Sequence, residues 1–478
     1  MEPTAFEVDY LIVGAGAMGL AFADTLVAET DATVAVVDRY GRPGGHWTVA
    51  YPFVRLHQPS AFYGVNSREL GTRSLDTDGG NEGLHELASV SEILTYFKEV
   101  MHRTLLPTGR VSYHPMTFYD GPEPTRPDVH RFHSLVADAR YEVTVRRRVV
   151  DSTYMNVTVP AMVAPKYEVG PGVRLITPNE LPSLSSRPSH YTVVGAGKTG
   201  IDAVLWLLEH AVDPADITWI MPRDAWLFDR VHFQPGARFA ASNAAAVKAR
   251  MRAVTRSHTV KELFQHLEEC GSLLRLSPDV TPTSFRCATV TRTELEQLRR
   301  VDDIVRQGRV VRIGDEAVEL EQAVVPAVPG TLYVDCTADG LEQRPAVPVF
   351  DGSRITLQSV VPCQQVFSAA LTAHVEASYD RDETKNWLCA ASSHPHTDLD
   401  WLRAHIDTAE RQLRWSAEPA VRDWIETSRV SMQSAAALTP EQQAEFHQGL
   451  AVVKVRLQEL LAQDSPAEAP NSPDRSMA

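Results

Sequence analysis

The 478-residue sequence predicts an α/β protein with two Rossmann-like, doubly wound βαβ folds for dinucleotides, a small antiparallel β insertion and a helical C-terminal part. Three observations carry this prediction. An apolar run over 9–13 enters Gly14-Ala15-Gly16-Ala17-Met18-Gly19, continues as a helical run to 28, and leads to a strand over 33–37 that ends on Asp38. The same grammar returns at Gly195-Ala196-Gly197-Lys198-Thr199-Gly200, between an apolar run over 191–194, a helix over 201–210 and a strand over 217–221. Short β-like runs over about 111–160 (131–137 and 141–150 among them) alternate with turns, and the last third has helical periodicity.

In the first motif Gly14 makes the tight turn off the strand, Gly16 lets backbone approach a pyrophosphate, and Gly19 lets the helix pack close to the sheet. Ala17 and Met18 open the helix, where free N–H groups and the positive dipole end meet phosphate. Asp38, with Arg39 after it, stands where a carboxylate accepts hydrogen bonds from an adenosine ribose. In the second motif Gly195, Gly197 and Gly200 repeat these tasks, with Lys198 and Thr199 at the helix start. Its second strand runs into Pro222-Arg223-Asp224. Arg223 suits a 2′-phosphate and favours NADPH; Asp224 could take a 2′-hydroxyl instead, as NADH would require.

Length implies two or three domains. The expected boundaries are 1–165 for the first nucleotide domain, 166–328 for the second with a helical insertion, 329–463 for the return to the first domain with the C-terminal helices, and 464–478 for a disordered tail. A hydrophobic fraction of 44% supplies a sizeable core, and a net charge of −15 argues against nucleic acid or an anionic membrane as partner. No run reaches the ~18 apolar residues of a membrane span. The N-terminus has no basic region before its nucleotide strand, so a cytoplasmic protein is expected.

The five cysteines, Cys270, Cys287, Cys336, Cys363 and Cys389, are odd in number and include no CxxC pair. Neither a disulfide framework nor a zinc or iron–sulfur pattern is expected from them, which fits a reducing compartment. His394-Pro395-His396 has no third ligand near it in sequence, so no metal is expected.

Between the motifs, Gly44-Gly45-His46-Trp47 and the aromatic-rich segment Tyr51-Pro52-Phe53-Val54-Arg55-Leu56-His57-Gln58-Pro59-Ser60, running on to Tyr63, form a non-helical passage suited to covering a bound ligand. Ser89-x-x-Glu92 is a capping box opening a helix to about 104. Arg146-Arg147-Arg148 reads as a solvated strand end. Helical sequence over 244–254, 260–270 and 293–306 and β-like runs over 309–313 and 317–320 are expected to elaborate the second nucleotide domain. A strand from 331 ends in Asp335-Cys336-Thr337-Ala338-Asp339-Gly340, a loop expected to touch the first cofactor again. Thr439-Pro440-x-Gln442 starts a last helix with Phe446, Leu450, Val453, Leu457 and Leu460 on one face. That face is expected to pack on its own domain, a homodimer contact being the alternative.

These features resemble the flavin-containing monooxygenase group, which includes Baeyer–Villiger monooxygenases and N-hydroxylases. Residues 44–63 are similar to the pattern GGTW…YPGARCDxES…Y, and Asp335-Cys336-Thr337-Ala338-Asp339-Gly340 to the group's late ATG turn. The resemblance implies FAD in the first fold, where Gly45, His46, Trp47, Asp339 and Gly340 would also approach it, and NADPH in the second. Two features differ: residues 172–181 have neither the histidine nor the tryptophan of the FxGxxxHxxxW fingerprint, and His57 stands where the pattern has an acid.

The function expected is that of an FAD- and NADPH-dependent oxidoreductase, a monooxygenase transferring oxygen from a flavin peroxide adduct to a small organic, secondary-metabolite-like substrate. His57 and Gln58 are expected near the flavin ring, with Arg55 holding the nicotinamide or peroxide charge. Alternatives are a biosynthetic enzyme that keeps FAD as structure for a non-redox cyclisation or rearrangement, a flavin dehydrogenase or oxidase, and a non-catalytic nucleotide sensor.

Overall fold

A computed structural model describes residues 3–338, 340–432 and 439–464. The fully buried strand Val34–Val37 and the strand Thr4–Val13 pair in parallel, and Arg140–Asp151 runs parallel on the other side of Thr4–Val13. Outside these lie Val111–His114 on one edge and Arg354–Thr356 with Phe350–Asp351 on the other. One sheet is therefore built from chain segments more than 300 residues apart in sequence. The expected antiparallel insertion exists, but as a ribbon continuous with this sheet. Thr117–Glu123 and Arg126–Ser134 pair antiparallel, and the ribbon hangs on the first half of Arg140–Asp151.

Two helices rich in small residues cover the sheet. Ala17–Glu29 is buried from Met18 to Val27, and Gln365–Ser378 is buried from Val366 to Val375. Their alanines let the axes come close, and Phe22, Leu26, Ala369 and Ala373 share one core. The capping box at Ser89 is made as expected, opening Val90–Glu99. The three consecutive arginines are paired as well as solvated: Arg146 meets Glu7 and Asp9, and Arg148 meets Glu376 and Asp382.

In the second sheet all strands are parallel, in the order Ile304–Val305, Ile217–Ile220, His190–Val194, Thr331–Asp335, Arg174–Ile176. Thr331–Asp335 belongs to this sheet, so the second nucleotide fold runs past the boundary expected at 328. The helix expected over 293–306 ends at Leu298, and Ile304–Val305 becomes an edge strand on Ile217–Ile220. Sheet pairing overrides helical propensity there. The runs over 309–313 and 317–320 form strands of a separate small sheet.

Residues 225–290 do not simply extend the second nucleotide domain. Ala225–Asp229, Leu273–Leu274 and Ser284–Val290 form a small sheet packed by the helices Ala237–Arg256 and Val260–Glu269. The C-terminal helices Asp398–Ala417 and Pro440–Asp464 bury Trp401, Leu402, Leu457 and Leu460 in the same core, together with Trp226 and Phe264. The last helix packs chiefly on Asp398–Ala417, within the region expected over 329–463, and through it on the helices Ala237–Arg256 and Val260–Glu269 of this central lobe. Asp464 is its final residue, and the remainder of the expected tail lies outside the described residues.

The expectation of unlinked cysteines is also overturned. Cys287, in the strand Ser284–Val290, and Cys363, just before the helix Gln365–Ser378, form a disulfide across 76 residues. Sequence spacing cannot reveal it, because a strand of the lobe and a loop of the first domain meet only in the folded chain.

Candidate functional site

The first glycine turn is formed as its spacing predicts. Gly14 has φ 101°, and a Cβ on Gly19 would lie 2.1 Å from the Gly14 carbonyl oxygen, so the helix Ala17–Glu29 sits tight on the strand. That helix starts at Gly16 without a side-chain cap, leaving its first N–H groups to a ligand or water. Gly16 serves a second purpose that the motif does not reveal. A Cβ on it would lie 3.6 Å from Gly45 Cα, and Gly44 N donates to the Ala15 carbonyl at 2.9 Å. The Gly44-Gly45 turn is thereby seated on the glycine loop.

Asp38 is buried at the strand end. It accepts from Ala15 N and, at 2.7 Å, from Tyr40 N, and burial pushes its carboxyl up. Arg39 is exposed with its guanidinium over the Tyr40 ring. His46 is held neutral by burial, its pKa pushed down to about 4. Trp47 is a buried wall whose Nε1 donates to Tyr63 Oη at 2.7 Å. From the C-terminal side, Arg429 donates to the carbonyls of Tyr63 at 2.9 Å and Val65 at 3.2 Å, fixing the end of this passage.

At the second motif, a Cβ on Gly195 would lie 2.6 Å from the Cys336 carbonyl oxygen, and one on Gly200 would lie 2.1 Å from that of Gly195. Nothing lies within 4 Å of a Cβ on Gly197. Here the space that the motif reserves for a phosphate is open, in front of the uncapped helix Lys198–Glu209. Lys198 is turned to its own helix, where Nζ pairs with Asp202; Thr199 is half-buried at the helix start.

Beyond Ile217–Ile220 the two candidates for reading the ribose separate. Asp224 is buried and held by one edge of the Arg306 guanidinium, Nε donating to Oδ2 and Nη2 to Oδ1 at 3.1 Å. Arg223 is exposed. A carboxylate already satisfied by an arginine is poorly placed to take a 2′-hydroxyl, whereas the exposed cation can meet a 2′-phosphate.

The loop after Thr331–Asp335 starts beside Gly195, not beside Gly14. It then crosses toward the first sheet: Asn156 Nδ2 donates to Glu342 Oε2 at 2.7 Å and Tyr154 Oη to the Pro345 carbonyl at 2.9 Å. Asp339 lies outside the described residues, and Gly340 is exposed in open space.

Residues 44–63 join the two folds. Tyr51 Oη donates to Asp202 Oδ2 at 2.7 Å, Phe53 stacks on Trp206 at 5.3 Å, and Asn179 Nδ2 donates to the Val49 carbonyl at 3.1 Å. The three expected catalytic residues part company within this passage. Arg55 is exposed and donates to the Leu87 carbonyl at 3.1 Å. His57 and Gln58 are half-buried. Burial, then the nearby positive charges of Lys198 and Arg230, push His57 down to about 3, so its imidazole is neutral. Its Nδ1 is enclosed and meets no hydrogen-bond partner among the described residues.

One of the two cations near His57 is Arg230, which no sequence motif singles out. Its guanidinium is buried and donates to the His57 carbonyl at 3.1 Å, to Asn81 Oδ1 at 3.0 Å and to both oxygens of Glu294 at 2.9 Å. A lone arginine after a short apolar strand has no sequence signature. Only the meeting of four chain segments identifies it.

The chain is similar to several known proteins. Residues 12–58 match the model of the NAD(P)-binding Rossmann-like domain family. The uncharacterized protein Rv2000 of Mycobacterium tuberculosis is 52% identical over 427 residues, 89% of this chain and 78% of that protein. A ferredoxin–NADP reductase of Saccharopolyspora erythraea is 41% identical over 70 residues, 15% of this chain and 21% of that protein. Among solved structures, a cyclohexanone monooxygenase from Rhodococcus bound to NADP+ is similar at 12% identity and a TM-score of 0.47, covering 97% of this chain and 98% of its own.

Proposed function

The chain belongs to the family of the mycobacterial protein Rv2000, and from its two joined nucleotide folds we propose that it is an FAD- and NADPH-dependent oxidoreductase, a flavin monooxygenase acting on a small organic molecule and O2. The observation that carries the reading is the position of residues 44–63. The passage lies on the first glycine loop through Gly45 and reaches the helix of the second motif through Tyr51, with His57 under the charge of Lys198. A chain that needs two nucleotides to exchange electrons must bring their binding ends to one place, and a passage that touches both folds supports that reading.

The residues fit both groups. Each glycine turn feeds a helix with no side-chain cap, and Gly197 faces open space. Gly16, Ala17, Met18 and Gly19 would hold the FAD pyrophosphate, with Asp38 and Arg39 toward its adenosine. Gly195, Gly197, Lys198, Thr199 and Gly200 would hold that of NADPH, with Arg223 on the 2′-phosphate. Bound FAD, reduced by NADPH, supplies the two electrons that O2 activation requires.

The chain's own residues then exclude water and place charge. Trp47, Tyr51 and Phe53 wall the passage with rings. His57, neutral across the physiological range, can accept or donate one hydrogen bond without carrying charge into the pocket, and Gln58 lies next to it. Positive charge near His57 comes from Lys198 and Arg230 rather than Arg55, Arg230 through its hydrogen bond to the His57 carbonyl.

The experiment is anaerobic. Purified protein should be yellow and should bleach when NADPH is added under nitrogen; a colour that persists sinks the redox reading. On readmission of O2 with a substrate present, less H2O2 than NADPH consumed supports oxygenation. One H2O2 per NADPH with every substrate supports an oxidase.

A further inference from the structure

Three chain segments place sulfur and imidazole together away from the nucleotide turns. Cys287 is buried in the strand Ser284–Val290, Cys363 precedes the helix Gln365–Ser378, and His394 lies ahead of the helix Asp398–Ala417. The three ligand atoms lie within 4.8 Å of one another. His394 Nε2 is 3.6 Å from Cys287 Sγ and 3.8 Å from Cys363 Sγ. A tetrahedral zinc with bonds of about 2.3 Å to sulfur and about 2.0 Å to nitrogen has an S···N edge of about 3.5 Å.

The backbone is committed to this meeting. Cys287 has φ 53° and Cys363 φ 64°, two of the six non-glycine residues with positive φ among those described. Such backbone persists only where surrounding structure holds it, and it concentrates at functional sites. Cys287 sits where the strand register slips against Ala225–Asp229, between the pairs Trp226–Phe285 and Phe228–Thr289. The His394 segment is pinned to that strand, because Phe285 N donates to the His396 carbonyl at 2.9 Å. The Cα atoms of the two cysteines are 6.5 Å apart, near the upper end of the disulfide range of about 4.4–6.8 Å.

We propose that Cys287, Cys363 and His394 form a binding site for a divalent cation of the zinc class, occupied when the two cysteines are reduced. Two thiolates and one imidazole are a borderline-soft donor set, which selects zinc over magnesium or calcium. Reduction of the disulfide takes two electrons and two protons from a thiol or phosphine reductant. Binding then releases two thiol protons to solvent as two S–metal bonds and one N–metal bond form, leaving the fourth position to water. The disulfide and the metal complex exclude each other, since each uses both sulfurs. Either state ties the central lobe to the start of the helix Gln365–Ser378 in the first domain.

The test uses the full-length protein, with its flavin, reduced by a phosphine under nitrogen and then freed of reductant. Cobalt(II) is titrated in and displaced by zinc. The expected result is one equivalent of cobalt per chain, with thiolate-to-cobalt charge transfer and the strong d–d absorption of a tetrahedral site. Cys363→Ser and His394→Ala should each weaken binding by about tenfold or more, and Cys270→Ser should leave it unchanged. The wild-type spectrum needs no variant, so a variant that fails to fold leaves the test standing. Reduced protein that takes up no cobalt, or takes it up without thiolate bands, overturns the proposal. Bleaching by NADPH is read separately, so failure here and failure of the redox reading are distinct.

Discussion

The Tyr51 hydroxyl donates to Asp202 Oδ2 at 2.7 Å, joining the passage over the first glycine loop to the helix of the second. Lys198 pairs with the same carboxylate oxygen, so one acceptor gathers a phenol and an ammonium from the two folds. Burial, then the Asp202 charge, push the Tyr51 phenol well above its ordinary range, and it remains a donor at any working pH. Tyr51→Phe should remove this bond at a stability cost of about 1 kcal/mol. Steady-state kinetics should record a higher KM for NADPH with flavin content unchanged. An unaltered KM would mean that the bond does not position the second nucleotide.

The choice between the two nicotinamide cofactors should rest on Arg223. A charge-assisted contact is worth about 1.5–3 kcal/mol, or roughly one to two orders of magnitude in affinity. Arg223→Gln should therefore lower kcat/KM for NADPH by about that factor and leave kcat/KM for NADH nearly unchanged. Equal losses with both cofactors would remove the 2′-phosphate from the assignment.

Two glycines of the second motif should behave oppositely. Gly197→Ala places a methyl group in open space and should leave the melting temperature of the nucleotide-free protein close to wild type while weakening NADPH binding. Gly200→Ala drives a Cβ to 2.1 Å from a backbone carbonyl and should destabilise by roughly 1–3 kcal/mol or more. Thermal melts of the two variants, each with and without NADPH, give the comparison.

His57 sets a pH dependence whose sign comes from linkage. Its pKa is pushed down to about 3 in the fold from an ordinary value of 6.5. Between those values the unfolded chain binds the proton and the folded chain does not. The contribution is therefore fully present above about pH 6.5 and is lost as pH falls toward 3. Melting temperature should drop between pH 7.5 and 5, and less steeply in His57→Gln. Parallel curves for wild type and variant would show that His57 is not held neutral by the fold.

Arg230→Met should cost about 3–5 kcal/mol, because it leaves Glu294 charged at a largely enclosed site without its partner. The double variant Arg230→Met with Glu294→Gln should recover part of that loss, which chemical denaturation can measure. No recovery would mean that the arginine acts through Asn81 and the His57 carbonyl instead.

Both glycine turns, their helices and the capping boxes are legible in the sequence because they are local. A turn's φ, a cap's hydrogen bond and the apolar spacing of a strand are set within a few residues. Residues 293–306 depart from what their sequence leads one to expect, the helix ending at Leu298. Which surfaces meet depends on segments far apart in the chain, as when Ile304–Val305 pairs with Ile217–Ile220, or Leu457 and Leu460 share a core with Phe264 as well as Trp401.

The site divides in the same way. Sequence by itself determined that Gly14–Gly19 and Gly195–Gly200 open two dinucleotide folds and that residues 44–63 lie beside them, because backbone geometry there demands those residue types. Only the tertiary structure decided that Arg230 and not Arg55 meets His57, that Asp224 is taken by Arg306 while Arg223 stays exposed, and that Cys287, Cys363 and His394 converge. The reason is physical. Charge, burial and metal geometry act through space over a few ångströms, and residues separated by tens or hundreds of positions come that close only when the chain is folded.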